Sequence, residues 1–137
     1  MAVTVRRLFP SSPSHWQILV TAEDVAPGDA IELADDTTGE RTPQTGRVVR
    51  IAVGVSDAAG GATEAIPVLA TTDASPALLT SILTLDPIAA ADTVDQALAT
   101  PIPYSVHPDG PLYLHPVVDA GTATITAQIL ILGGWAQ

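Results

Sequence analysis

The sequence predicts an all-β fold, a jelly-roll-like sandwich of two sheets with at most one short helix. Three observations carry that expectation. Between Thr122 and Leu132 the chain alternates, with Ala123, Ile125, Ala127, Ile129 and Ile131 on one side and Thr122, Thr124, Thr126 and Gln128 on the other. Successive strand side chains point to opposite faces, so this pattern marks a strand with one buried face. About eight strand candidates recur at the spacing of all-β folds. The 12 Pro and 10 Gly fall mostly between them, as a turn-rich β protein needs. An immunoglobulin-like sandwich is the alternative architecture, but the chain has no Cys and so lacks the Cys-Trp-Cys pattern of that fold.

Taken in order, Ala2 to Phe9 is expected as a short edge strand or an arm, broken by the run Pro10-Ser11-Ser12-Pro13-Ser14. Residues 1–14 therefore form an arm or edge strand, and 15–137 the sandwich domain. Trp16 to Thr21 is a strand, Val25 to Asp29 a turn, and Ala30 to Leu33 a short strand. Asp35 to Glu40 opens a polar loop that runs to Gly46. Arg47 to Ser56 is a strand with Val49, Ile51, Val53 and Val55 on one face, and it is expected to form a hairpin with Glu64 to Ala70 across Gly60-Gly61. Ala77 to Leu85 fits helix or strand, and its length and Thr content favour strand. Ala89 to Ala99 is the one helix candidate, with Asp92 as N-cap and Pro101 as the stop. Pro101 to His107 is extended, with prolines suited to an edge. Leu112 to Val118 and Thr122 to Leu132 are expected to close the chain as a hairpin around the Asp119-Ala120-Gly121 turn.

At 137 residues the chain is expected to be one domain. Hydrophobic residues make up 47% of it and aromatics only 4%, so the core must be built from Ala, Val, Ile and Leu, and oligomerisation is mildly favoured. Net charge is −10. All five cations are Arg, at 6, 7, 41, 47 and 50, and eight acids follow Ile51 with no Lys or Arg among them. Such a surface repels phosphate backbones, which argues against nucleic-acid binding. The missing Cys removes disulfides, thiol nucleophiles and thiolate metal sites. No run reaches the roughly 18 apolar residues of a membrane span, and the residues after Arg6-Arg7 do not form a signal-peptide core. The expected product is soluble and made in a cytoplasm.

Candidate chemistry is sparse. His107, Asp109 and His115 lie close in sequence and would suit Zn²⁺ or Mn²⁺ if their strands met, but they follow no fixed ligand spacing. Asp35 to Glu40 matches a calcium loop in charge only. No nucleophile elbow and no phosphate loop is present, so no catalytic residue, metal or cofactor is expected. Arg6 and Arg7, with Phe9, are the candidate partner-binding group, because paired guanidinium forks clamp carboxylates. Leu130 and Leu132 turn apolar on the face opposite Ile129 and Ile131, beside Gly133-Gly134-Trp135. That second face has no evident intramolecular use, so Leu130, Leu132 and Trp135 are the candidate subunit interface.

The closing stretch, with its DG-P-LYL strand, its DAG turn and its TATITAQILIL strand, resembles the end of small jelly-roll virion proteins, the capsid decoration (cement) proteins of tailed bacteriophages. The Ala-rich, Lys-free, Cys-free acidic composition is similar to that of phage structural proteins from GC-rich hosts. The resemblance spans about Asp109 to Gly134 and carries no catalytic residues. It implies a virion protein, made in the host cytoplasm, that sits on the capsid surface as a homotrimer, binds the major capsid protein and stabilises the shell, with an arm such as Ala2 to Pro10 reaching the shell. A tail-fibre or receptor-binding head that recognises a host glycan is the alternative, for which Trp16, Tyr104, Tyr113 and Trp135 are the available aromatics.

Overall fold

A computed structural model describes residues 2–8, 15–43, 45–56, 60–70, 81–105 and 112–133, with backbone alone at 81, 96–100 and 105. The described residues form eleven strands and no helix. They are β1 (Ala2–Leu8), β2 (His15–Val25), β3 (Ile31–Glu32), β4 (Thr45–Ser56), β5 (Glu64–Ala65), β6 (Val68–Ala70), β7 (Ser81–Thr84), β8 (Ile88–Ala89), β9 (Thr93–Ser105), β10 (Tyr113–His115) and β11 (Ala123–Gly133). A five-stranded sheet has the order β1-β2-β11-β4-β9, a four-stranded sheet the order β3-β10-β6-β7, and β5 pairs with β8 alone.

One rule generates most of this. β2 pairs with β11, β3 with β10, β4 with β9, β5 with β8 and β6 with β7, all antiparallel. The chain is thus one long hairpin doubled back on itself, its nested rungs running from β6–β7 outward. Rolling that hairpin adds the contacts β11–β4 and β10–β6, which place alternate rungs in opposite sheets. This is a jelly roll, as the periodicity predicts.

The five-stranded sheet follows the alternation except at its bulges. Val20, Val53, Ile125, Ile129 and Ile131 face inward and are buried, meeting Ile31, Leu69 and Leu114 of the other sheet. β-branched side chains suit this pleated, half-buried surface. Tyr104 closes one end of the core. Its hydroxyl donates to the Pro43 carbonyl at 2.8 Å, and burial pushes its pKa up.

Four expectations are corrected. Leu112–Val118 and Thr122–Leu132 do not form a hairpin: β10 lies in the four-stranded sheet between β3 and β6, and β11 is the centre of the five-stranded one. The segment between them crosses from sheet to sheet, helped by positive φ at Val117 (47°) and Gly121 (61°). At Gly121 a Cβ would run into the Gly60 carbonyl, so two glycine backbones meet at the crossing. β4 does not pair with Glu64–Ala70 either, since its neighbours are β11 and β9. A bulge after Val48 changes its inward set to Val48, Ile51, Val53 and Val55, because the register steps across Val49. Finally, the helix expected over Ala89–Ala99 is a turn followed by the start of β9. Ala91 has φ 70° and donates its N–H to the Val55 carbonyl, while the Asp92 carbonyl accepts from Val55, so pairing with β4 overrides the local helix signal.

Candidate functional site

Of the two forms expected for the first residues, the strand is the one observed. Seven residues of β1 pair in register with β2, from Ala2 opposite Glu23 to Leu8 opposite Gln17. Val3, Val5 and Arg7 then turn inward and Thr4, Arg6 and Leu8 outward. Arg7 is only 8% exposed. Its guanidinium lies 3.6 Å from the centre of the Trp16 ring, donates to Glu40 Oε1 at 3.0 Å and to the His15 carbonyl at 3.3 Å. The expected partner clamp of Arg6 with Arg7 is therefore split. Arg7 is an internal latch and Arg6 alone remains outside, because neighbours on a strand face opposite ways. Phe9 lies outside the described residues.

The outer edge of β1 is closed by the acidic loop. Asp35 Oδ2 accepts the Arg7 N–H at 2.7 Å, and Asp36 Oδ2 accepts the Val5 N–H at 2.7 Å. The Asp36 N–H in turn donates to the Val5 carbonyl at 2.8 Å. Asp35 Oδ1 also takes the N–H groups of Thr37 (2.8 Å) and Thr38 (3.0 Å). The Arg7 N–H, followed by those of Thr38 and Thr37, holds the Asp35 carboxyl below the usual carboxylate range against the opposing effect of burial. The loop that resembles a calcium site in charge is thus a cap on a sheet edge, its acceptors committed to backbone donors. Nothing in the sequence signals this, because the donors are 28 and 31 residues away.

The histidine group does not assemble in the described residues. His115 is 1% exposed in β10, opposite Val68, with its ring 6.4 Å from that of Tyr113. His107 and Asp109 lie outside the described residues, among which no three His, Cys, Asp or Glu side chains gather. Another carboxylate is structural. Asp119 accepts the N–H of Thr63 (3.0 Å) and of Glu64 (3.2 Å) and the Thr63 hydroxyl, chiefly the last of which pulls its pKa down to about 2.

What remains is a surface, the outer face of the five-stranded sheet. Register places its side chains in ranks. Thr4, Thr21, Thr126, Gly54 and Thr93 form one; Arg6, Leu19, Gln128, Ala52 and Asp95 the next; Leu8, Gln17, Leu130 and Arg50 the third; His15, Leu132, Arg47 and Pro103 the fourth. Five strands at about 4.8 Å make the face roughly 19 Å across. Leu8, Leu19, Leu130 and Leu132 surround Gln17, all of them half-buried, and Arg6, Arg47 and Arg50 flank the group. Arg50 holds Asp95 through a two-pronged ion pair, with Nε to Oδ1 at 2.7 Å and Nη2 to Oδ2. A depression of about 290 Å³ opens between Gln17, Arg50, Asp95, Gln128 and Leu130, and one of about 360 Å³ adjoins it over Ala52 and Gly54.

The structure thus brings Arg6, Leu130 and Leu132 onto one face, although the sequence suggested separate roles for them. It adds Leu8, Leu19 and Arg50, which the alternation of β1, β2 and β4 could have disclosed, and Arg47, which reaches this face only through the bulge at Val49. Trp135 lies outside the described residues. Trp16 and Tyr104 are buried. Comparison of the chain with protein-family models, curated proteins and solved structures finds no significant match. No helix among the described residues is long and apolar enough to cross a membrane.

Proposed function

We propose that this protein works by adhesion rather than catalysis, as a capsid decoration protein that binds the major capsid protein on the outside of a phage shell and stabilises it as a homotrimer. The observation that supports this reading is the outer face of the five-stranded sheet. It carries an apolar centre edged by arginines, the composition of a protein contact surface. A rigid β-sandwich suits the task, because binding then orders little besides side chains. The resemblance of the Asp109–Gly134 stretch to such proteins supplies the biological setting. The glycan-binding alternative gains little from the described residues, since Trp16 and Tyr104, two of its aromatics, are buried.

The test is sedimentation of the purified protein with empty phage shells of the parent virus. Saturable co-sedimentation, with shells that resist a higher temperature, is the expected result. A protein that stays in the supernatant at all concentrations rules the reading out.

A further inference from the structure

Gly54 is the odd residue of the outer face. Its rank runs Thr4, Thr21, Thr126, Gly54, Thr93, one gap among threonines. Glycine weakens the interior of a strand, where it marks a bulge, a sharp bend or the close approach of a ligand. Gly54 sits at no bulge: it keeps regular register with Thr126 and with Thr93, and its φ is not positive. What it makes is a hole. A Cβ there would lie 3.2 Å from Thr126 Oγ1 and 3.3 Å from Thr93 Oγ1, so both hydroxyls lean over the space it leaves. The hole belongs to a trough. Depressions of about 290, 360 and 250 Å³ follow one another along β4, the first two sharing Ala52 as floor and the last two Gly54. Thr126 and Gln128 of β11 form one wall, Thr93 and Asp95 of β9 the other. From Arg50 to Ser56 the trough runs about 20 Å, and from β11 to β9 it is about 10 Å wide.

We propose that this trough binds a neutral carbohydrate chain. The chemistry of the walls selects the ligand. The Thr93 and Thr126 hydroxyls and the Gln128 amide both donate and accept, as sugar hydroxyls do. At one end the Arg50–Asp95 pair sets donors and acceptors side by side. That pair is neutral, and Asp92 adds a negative charge at the opposite end, so sulfate, phosphate and uronate groups are disfavoured. Ala52 and Leu130 supply the apolar strip for the C–H faces of the rings, a task for which the buried Trp16 and Tyr104 are out of reach. A peptide would satisfy its backbone at a strand edge, whereas the backbone beneath this trough is spent within the sheet. Jelly rolls serve as lectin domains as well as capsid domains. Shell binding by the neighbouring leucine cluster is a separate property, and either can fail alone.

The test is titration calorimetry of the full chain with cellohexaose, maltohexaose, laminarihexaose and mannohexaose, and with a galacturonate hexamer as the charged control. The expected result is saturable binding of at least one neutral hexaose, and binding of the galacturonate at least about tenfold weaker. Gly54→Val fills the hole and should weaken the neutral sugar at least about tenfold. Gln128→Ala and Asp95→Ala should each weaken it by about tenfold, with melting unchanged. Gln128 and Asp95 are exposed, so their variants keep the question open to test even if Gly54→Val folds poorly.

No heat from any neutral hexaose at millimolar concentration would refute the sugar trough. So would a preference for the galacturonate, or binding of a neutral hexaose that all three variants leave intact. A protein that binds no hexaose yet sediments with shells overturns the trough and leaves the decoration reading standing. One that binds a neutral hexaose through Gly54, Gln128 and Asp95 but never binds shells does the reverse.

Discussion

The two edges of the five-stranded sheet solve the same problem by different means. An edge strand presents unpaired N–H and C=O groups that invite pairing with another chain. At β1 the answer is chemical. Asp35 and Asp36 accept the outward N–H groups of Arg7 and Val5, the Asp36 amide satisfies the Val5 carbonyl, and the Arg7 guanidinium is fastened between Trp16 and Glu40. At β9 the answer is geometric. Its register against β4 jumps from Ala97 to Ile102, a bulge that twists the strand, and Pro101 and Pro103 remove donors from the far half. Its polar contact, Arg50 with Asp95, is solvent-exposed. Closing an edge with side chains from a distant loop couples that edge to the rest of the fold. Closing it with prolines and a bulge leaves it independent. Substitutions at the first edge should therefore be felt globally, and those at the second scarcely at all.

The largest break in this contrast is expected from Asp35→Ala. It strips three backbone N–H groups of their acceptor, and hydrogen bonds to a charged group contribute about 1.5–3 kcal/mol each, part of which water restores. A loss of about 3 kcal/mol in chemical denaturation is expected, with amide exchange accelerating in β1 before β9. Asp35→Asn, which keeps one acceptor, should fall between the variant and the parent. An unchanged midpoint for both would show that the cap contributes nothing.

Next comes Arg7→Lys. It preserves the charge and discards the planar stack on Trp16 and the fork that reaches both Glu40 and the His15 carbonyl. A cost of about 1 kcal/mol is expected, the scale of a partly desolvated cation–π contact. Parity with the parent in thermal melts would mean that charge alone holds β1.

Acid offers a graded version. The Asp35 carboxyl titrates below its usual range in the folded state. Its contribution is therefore complete above the unfolded value of about 4 and is lost as pH falls through the lower folded value. Hydrogen exchange on acidification should release the Arg7 amide, which Asp35 accepts, ahead of those in β9; the opposite order would contradict the cap. The smallest effect is expected from Asp95→Ala, whose partner Arg50 is fully hydrated on release. Its melting curve should overlay that of the parent.

How much of this could be read from the chain depends on the range of the interaction. β11 was legible because Ala123 to Ile131 pack against a single apolar surface, and that demand is written into alternate positions. The jelly-roll class followed from many such strands. Partnership was not legible. β10 and β11 are adjacent in sequence and lie in different sheets, and hairpin logic fails because rolling separates successive rungs. The segment at Ala89–Ala99 carried a good local helix signal that the open side of β4 outweighed. Arg7 was misjudged although its position was readable: Val3, Val5 and Arg7 share a face, so an inward Val5 requires an inward Arg7. The carboxylate cap at Asp35 had no local signature, and neither did the convergence of Arg6 with Leu130 and Leu132.

The nested hairpin has a consequence for synthesis. β11 lies at the middle of the five-stranded sheet, between β2 and β4, yet it leaves the ribosome after every other strand of the roll. Until it arrives, β1–β2 and β4–β9 are two separate ribbons with no sheet to join, each exposing Val and Ile on the side that will be core. Contacts so distant in sequence form slowly, and unfinished β surfaces are prone to aggregate. The nascent chain must therefore wait, unlocked, for a last strand that works as a keystone.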